Sequence, residues 1–446
     1  MTLSRRLKLP LLLLALLSGF SGFQLAFRSL KPENITRKDF LPEYLLAKAV
    51  LEGMNPYQPL PALNERFQTG ATWVFPHPTP HTPGLAIFSL PFAFLSYARA
   101  ASIWFLVEIL CLAASIFILL RGFNVSANPL LALLIIWATL GWAHVWEDLI
   151  LGQINTVLLL LIVGAWLNLR NDRQVAGGAL LGVAIALKLI FWPLALFMAL
   201  RRRWLSAVMA LAVFAVTNLI AAVAIGWRVV ANYYIDAGPS TAILYRAYAQ
   251  NLSLWSVGWR AFSGTWSPVL TGVNAPPIFF SLRLAVISSL LLTGAALILG
   301  LAAAIKADRY GKAGGTMNFD FAYGIMICVC LLVSPLTWPH YLILLALPLA
   351  VTIHRLRDLR FPRQQTLLCA IAVLILLIPN ISLENFIFSF SAAPNISSNE
   401  LGVQPDAPVS FAVGLLSLIP TLGALIIFWL MRQLSRLPGE ASLVSE

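Results

Sequence analysis

Long apolar runs separated by short charged turns dominate the chain. The first, roughly Leu9 to Phe27, is followed by runs at about residues 101 to 120, 129 to 145, 154 to 168, 175 to 189, 190 to 200, 205 to 226, 278 to 305, 319 to 336, 340 to 353, 365 to 380 and 411 to 431. A helix needs about 20 apolar residues to cross a bilayer, so these twelve runs, several of them short, predict an all-α polytopic membrane protein with residues 1–446 in a single integral domain. The first run resembles a secretory core but lacks a small-x-small cleavage site and has many spans after it. It reads as a retained first helix.

Basic clusters between the runs orient them. With Arg5, Arg6 and Lys8 holding the N-terminus in the cytoplasm, alternate loops carry Arg121; Arg170 and Arg173; Arg201 to Arg203; Lys306, Arg309 and Lys312; Arg355, Arg357, Arg360 and Arg363; and Arg432 and Arg436. About 65 inner residues then hold 18 basic ones, against 11 in about 153 outer residues, as the positive-inside rule requires, and the C-terminus is also inside. The apolar stretch Pro83 to Ser96 is too short to cross and would invert every later loop, so it is expected to lie at or dip into the outer surface. Three long loops, about residues 28 to 100, 227 to 277 and 381 to 410, all fall outside, and every inner connection is short. Site residues are commonly held on such loops, which places the working surface on the outer face of a bacterial inner membrane. No inverted repeat of the transporter kind is visible.

Composition agrees with this picture. Hydrophobic residues make up 59% of the chain and charged ones 11%, a balance a water-soluble chain of this length cannot hide. The net charge of +12 is spread over topology-setting clusters, so the lipid bilayer and not nucleic acid is the expected partner. Cys111, Cys328, Cys330 and Cys369 all lie in apolar runs and read as packing residues.

Polar groups gather at the outer face: Asp39, Glu43, Glu147, Asp148, Gln153 and Asn155, with His77, His81, His144 and His340. Asp39 stands just before an amphipathic helix that Gly53 and Asn55-Pro56 terminate; it fits an N-cap, and equally a carboxylate that takes a proton from an acceptor hydroxyl. Lys188 closes a helix rising from the inner side. A basic group deep in an apolar run marks a candidate site, although it also fits a snorkelling side chain or a partner for Glu108 in the second span. Gln153 and Asn155 fit a site or a helix start. His77 and His81, in a Pro-rich loop, read as surface residues. His144 with Glu147 and Asp148 has the composition of a metal cluster, yet Trp142 and Trp146 beside it suit an interfacial belt or sugar stacking. Tyr233, Tyr234, Tyr245, Tyr248, Trp255 and Trp259 offer aromatic faces to sugars or headgroups. The sequons at Asn34, Asn251 and Asn395 read as chance. No Asp-x-Asp pair occurs at the outer face, so neither metal nor cofactor is expected.

Four stretches together resemble glycosyltransferase family 87: Asp39 to Tyr57; Gly152-Gln153-Ile154-Asn155; the helix from Gly177-Gly178 to Lys188; and Ser334-Pro335-Leu336-Thr337-Trp338-Pro339-His340-Tyr341. They are collinear with that family from about residue 39 to 350. The resemblance implies a C-type glycosyltransferase bundle of about twelve transmembrane helices with amphipathic helices on the outer face. It also implies transfer of a sugar, mannose in the family's main examples, from a polyprenyl-phosphate donor to a lipid or glycan acceptor with inversion. Asp39 matches the family's base, and His340 a histidine near the donor phosphate or the base. Where the family commonly has Tyr-Pro-Pro late in the first outer loop, this chain has Pro80-His81-Thr82-Pro83.

Inverting transfer needs a carboxylate for the acceptor proton and cationic donors for the leaving phosphate, and Lys188, His340 and Arg260 fit the second role. Gln153, Asn155, His144 and Tyr44 are the remaining candidates for donor or acceptor contacts. A transporter or flippase of a lipid-linked sugar shares the span count and the intramembrane charges; against it stand the short inner loops and the absence of repeats. A third reading is a non-catalytic subunit of an envelope assembly.

Overall fold

The structure is a computed structural model that describes residues 5–71, 74–125, 129–267, 273–309, 317–379, 382, 383, 386 and 411–437. Most of the expected third outer loop, 381 to 410, lies outside these residues. The chain divides into two compact units, Met1–Thr241 and Ala242–Glu446.

Every apolar run carries a helix. Among the described residues four are long and apolar enough to cross a membrane, Tyr97–Gly122, Trp204–Ile225, Leu282–Asp308 and Pro339–Asp358. The others are shorter apolar helices, so twelve crossings remain an expectation. Only 11% of the Trp204–Ile225 window and 17% of the Leu282–Asp308 window is buried; Leu211, Leu219, Val223, Leu291 and Ile298 point outward from them. Apolar side chains exposed around a helix fit hydrocarbon, where only a helix or a closed barrel satisfies its backbone.

The expected continuous run 129 to 145 is broken. Helix Pro129–Thr139 stops, Ala143–Leu151 follows, and the pair bends by 67°. The reason is a close crossing with the first helix, Arg5–Arg28. A Cβ at Gly22 would strike the Leu140 carbonyl, and one at Gly141 the Ser18 side chain. Small residues let the backbones meet here, and the turn at 139–142 closes with i to i+3 bonds such as Trp142 N to Thr139 O (3.0 Å).

Around this break the first unit has a closed core. Leu158, Leu159, Ile162, Val163 and Trp166 of helix Asn155–Arg170 are fully buried. Helix Gln174–Leu187 lies against Trp204–Ile225 so closely that Cβ atoms at Gly178 and Gly182 would meet the backbones of Ser206 and Ala210. Helix Pro83–Ala93 spans only about 16 Å at 1.5 Å per residue, too little for a bilayer, as expected. It is capped by Thr82, whose hydroxyl accepts from Leu85 N at 3.3 Å and donates to Ala186 O at 2.6 Å.

Helix Leu41–Leu51 corrects the sequence reading twice. Nine of its eleven residues are buried, so it is not amphipathic, and its N-cap is Phe40, with no side-chain cap. Asp39 therefore caps nothing.

In the second unit, helix Met317–Val333 is buried from Phe319 to Leu332 among Leu282–Arg309, Ala346–Asp358 and Ile419–Leu434. A short antiparallel ribbon pairs Thr265 with Ala275. The four cysteines are free.

Candidate active site

Four successive carbonyls at the end of helix Ala143–Leu151 organise the site. A helix leaves its last carbonyls without partners; the first loop supplies them for three of these and helix Tyr97–Gly122 for the fourth. Lys38 Nζ donates to Leu149 O and Ile150 O, both at 2.9 Å. Phe40 N donates to Leu151 O at 3.2 Å, and Trp104 Nε1 to Gly152 O at 2.8 Å. Lys38 also reaches Ser29 Oγ at 2.8 Å, and a cation at a helix C-terminus suits the helix dipole. Burial nevertheless pushes its ammonium down to about 8, with Glu108, Asp39 and Asp148 opposing the shift.

Gly152 makes this docking possible. Its φ of +73° ends the helix in the left-handed region, and a Cβ there would lie 3.1 Å from Phe40 Cβ. Glycine meets both demands.

Asp39 lies between the two docked residues, and its Oδ2 accepts from Gln153 Nε2 at 3.3 Å. Its surface is half-buried, yet the protein around the carboxyl pushes it up to about 6; the Gln153 hydrogen bond and the Lys38 charge hold it lower than burial alone would. A carboxylate near 6 is deprotonated at neutral pH and basic enough to take a hydroxyl proton.

Asn155 connects the next two groups. Its amide donates to Asp148 Oδ1 at 2.6 Å, and its carbonyl oxygen accepts from Lys188 Nζ at 3.1 Å. Lys188 stands in extended backbone (φ −154°, ψ 116°) between helix Gln174–Leu187 and the turn Leu189–Phe191, so its side chain leaves the helix axis. Asp148 and Glu43 are its charged neighbours. Glu108, fully buried, faces Asp148, Lys38 and Glu43, so it is Lys38 that opposes it, and the Lys188–Glu108 pairing considered from sequence is replaced.

Glu43 is closed to solvent. Its Oε1 lies 3.3 Å from His81 Nε2. Burial pushes the Glu43 carboxyl well above the carboxylate range, and burial with the nearby Lys188 charge pulls His81 down to about 3. Burial therefore disfavours charge on both partners of this contact. His81 is thus no surface residue, contrary to expectation, whereas His77 is half-buried against Pro78 O at 2.7 Å.

The remaining candidates separate. Tyr44 donates its hydroxyl to Leu95 O at 2.8 Å and packs edge-on to Tyr97. His144 is fully buried, with Nδ1 3.5 Å from Glu147 Oε2. No three His, Cys, Asp or Glu side chains form a metal-holding group among the described residues.

In the second unit Arg260 is 2% exposed and fully engaged. Its Nη2 donates to Tyr248 O, Ala249 O and Asn251 O, all at 2.7 Å; Nη1 to Gly414 O and Ser417 Oγ; and Nε to Ser256 Oγ. Five N–H groups meet six oxygens, which leaves none for a phosphate and corrects the expected donor contact. Asn251 is equally committed: its amide donates to Tyr245 O and Pro335 O, and its oxygen accepts from Ser253 N and Thr337 N. It joins the second loop to the 334–341 motif, where the Trp338 ring lies 5.2 Å from Tyr245 and 5.3 Å from Tyr248. Tyr245 and Tyr248, expected to face sugars or headgroups, are therefore packed inside. His340, 7% exposed, follows in a 3-10 turn, Pro339–Leu345, with its ring 5.0 Å from Tyr341.

Apolar helices that enclose a buried cluster of acid, amide and lysine side chains define the kind of site this is. The chain belongs to glycosyltransferase family 87, whose model matches residues 80–335. That stretch contains His81, His144, Gln153, Asn155, Lys188 and Arg260, and leaves Asp39, Tyr44 and His340 outside. Alpha-(1->3)-arabinofuranosyltransferases of Mycobacterium tuberculosis, strains CDC 1551 / Oshkosh and ATCC 25618 / H37Rv, are each 31% identical to it over 191 residues, 42% of this chain. The match spans 41% of the length of these relatives. Their name gives no support to the mannose that the resemblance implies. No solved structure matches the chain.

Proposed function

We propose that the protein is a membrane glycosyltransferase that moves a sugar from a polyprenyl-phosphate donor to a lipid or glycan acceptor, with inversion. The observation that carries this reading is Asp39: a carboxylate tuned to about 6, held by Gln153 and fixed on both sides by residues docked on a helix end. Asp39 takes the acceptor hydroxyl's proton as that oxygen attacks the anomeric carbon. The bond from this carbon to the phosphate oxygen breaks, and polyprenyl phosphate leaves with the electron pair. Lys188, aimed by Asn155, offsets the charge that gathers on the leaving phosphate. The resemblance gives His340 a role near the donor phosphate or the base; in the first case His340→Ala is expected to raise the donor KM, in the second to lower kcat.

Family membership supports the reaction class. The name of the relatives puts a pentofuranose ahead of mannose as the first sugar to try. Purified protein should therefore be offered polyprenyl-phosphate arabinofuranose and polyprenyl-phosphate mannose with a membrane glycolipid extract, scored by release of polyprenyl phosphate. Donor movement across the bilayer without release would favour the flippase reading.

The site is proposed to face the outer side of a bacterial inner membrane with both termini inside, on the strength of the basic turns at 170–173 and 201–203. In sealed right-side-out vesicles, a cysteine at Glu65 should react with an impermeant thiol reagent and one at Asp172 should not. The reverse pattern would overturn the orientation.

A further inference from the structure

Glu43 and His81 have no part in the mechanism above, yet they occupy its middle. Glu43 is fully buried, and neither carboxyl oxygen has a hydrogen-bond partner of good geometry. A buried polar group left so costs about 1–3 kcal/mol, and such an exception calls for an explanation. The polar atom facing it is His81 Nε2 at 3.3 Å, on a side chain that keeps 13% of its surface open. Both Asp39 and Lys188 act electrostatically on Glu43, so the pair stands within reach of the proposed base and of the proposed phosphate partner. In the transfer proposed above, the donor sugar lies between those two groups.

The segment that carries His81 is fixed before any ligand arrives. Tyr57 donates its hydroxyl to His81 O at 3.2 Å, and Tyr233 to Pro80 O at 3.0 Å. His81 N donates to Thr79 Oγ1 at 3.3 Å, and the Thr82 hydroxyl ties the next residue to Ala186 O. Contacts held in this way lose little entropy when a ligand binds.

We infer that His81 is a donor-sugar contact that hydrogen-bonds a ring hydroxyl, and that Glu43 is its positioning residue. Burial favours the acid form of Glu43, and that proton, turned toward Nε2 across the 3.3 Å approach, would leave the imidazole proton on Nδ1, the nitrogen free to donate to a hydroxyl oxygen. A neutral donor suits a neutral hydroxyl, while the anionic phosphate falls to Lys188. Pro80-His81-Thr82-Pro83, where the chain departs from the common Tyr-Pro-Pro, thereby becomes a determinant of which sugar is accepted. This inference rests on the glycosyl-transfer reading but is tested by binding alone.

The test uses the full chain in nanodiscs on an Asp39→Asn background, so that donor is not consumed; turnover by the wild type is read separately. Binding is measured for plain polyprenyl phosphate, polyprenyl-phosphate arabinofuranose and polyprenyl-phosphate mannose. The larger ratio of plain to sugar-bearing Kd is the sugar's contribution. A net hydrogen bond of about 1.4 kcal/mol is tenfold in this ratio. His81→Phe and Glu43→Leu should each reduce the ratio about tenfold and leave plain polyprenyl phosphate bound as before, whereas Glu43→Gln, which still presents an N–H to Nε2, should stay within about threefold of the parent. The inference is overturned by an unchanged ratio in His81→Phe, by equal losses for plain and sugar-bearing lipid, which would mark a phosphate contact, or by a parent ratio of one. If Glu43→Leu does not fold, His81→Phe and Glu43→Gln still decide the matter.

Discussion

The Gln153 amide donates to Asp39 Oδ2 at 3.3 Å, joining residues 114 positions apart. Asp39 is aimed less by this bond than by its neighbours, since Lys38 and Phe40 are both tied to carbonyls of helix Ala143–Leu151. Gln153 follows that helix directly, so base and amide share one rigid support.

That arrangement sets the pH response. A base must be deprotonated, so transfer should be full well above about 6 and fall as pH drops through it. Gln153 favours the charged form of Asp39. In Gln153→Leu the acidic limb of the kcat profile should therefore move to higher pH, with the rate above the limb changed little. A limb that stays in place would separate Gln153 from Asp39.

Much of the fold was legible because helix period and run length are local properties: every apolar run became a helix, and the stretch from Pro83 became the short helix Pro83–Ala93. The break at 139–142 was not legible, because it depends on Gly22 and Gly141 meeting across more than a hundred residues. The N-cap reading of Asp39 failed, since chain docking and not side-chain capping fixes it. Lys38 drew no notice and His81 read as a surface residue for the same reason. Their partners, the 149 and 150 carbonyls and Glu43, are set by tertiary packing, and no spacing rule announces them. Arg260 was overvalued because sequence shows its charge and not the six oxygens around it.

Gly152 should tolerate no side chain. In Gly152→Ala the left-handed φ costs about 1 kcal/mol, and the new Cβ presses on Phe40, moving Asp39. A shift of about 1 Å can cost on the order of 100-fold in rate. We expect kcat to fall at least tenfold with a melting temperature only slightly lowered, and the donor KM nearly unchanged. An equal rise in KM would point to a wider collapse of the site.

Arg260→Lys should damage stability and not recognition. An ammonium has three donors for the six oxygens the guanidinium now serves, so buried carbonyls lose partners at about 1–3 kcal/mol each. Melting temperature should drop clearly, while donor Kd of the folded fraction stays within about twofold. A stable variant with weakened donor binding would restore Arg260 to the phosphate site.

The central claim is that Asp39 is the base, and Asp39→Asn tests it most directly. Asparagine keeps the size and can still meet Gln153, but it cannot take a proton. With melting temperature, donor Kd and turnover measured on one preparation, the variant should fold and bind donor like the wild type while turnover falls by roughly 100-fold or more. A well-folded Asp39→Asn protein that transfers sugar at close to the wild-type rate would contradict the account.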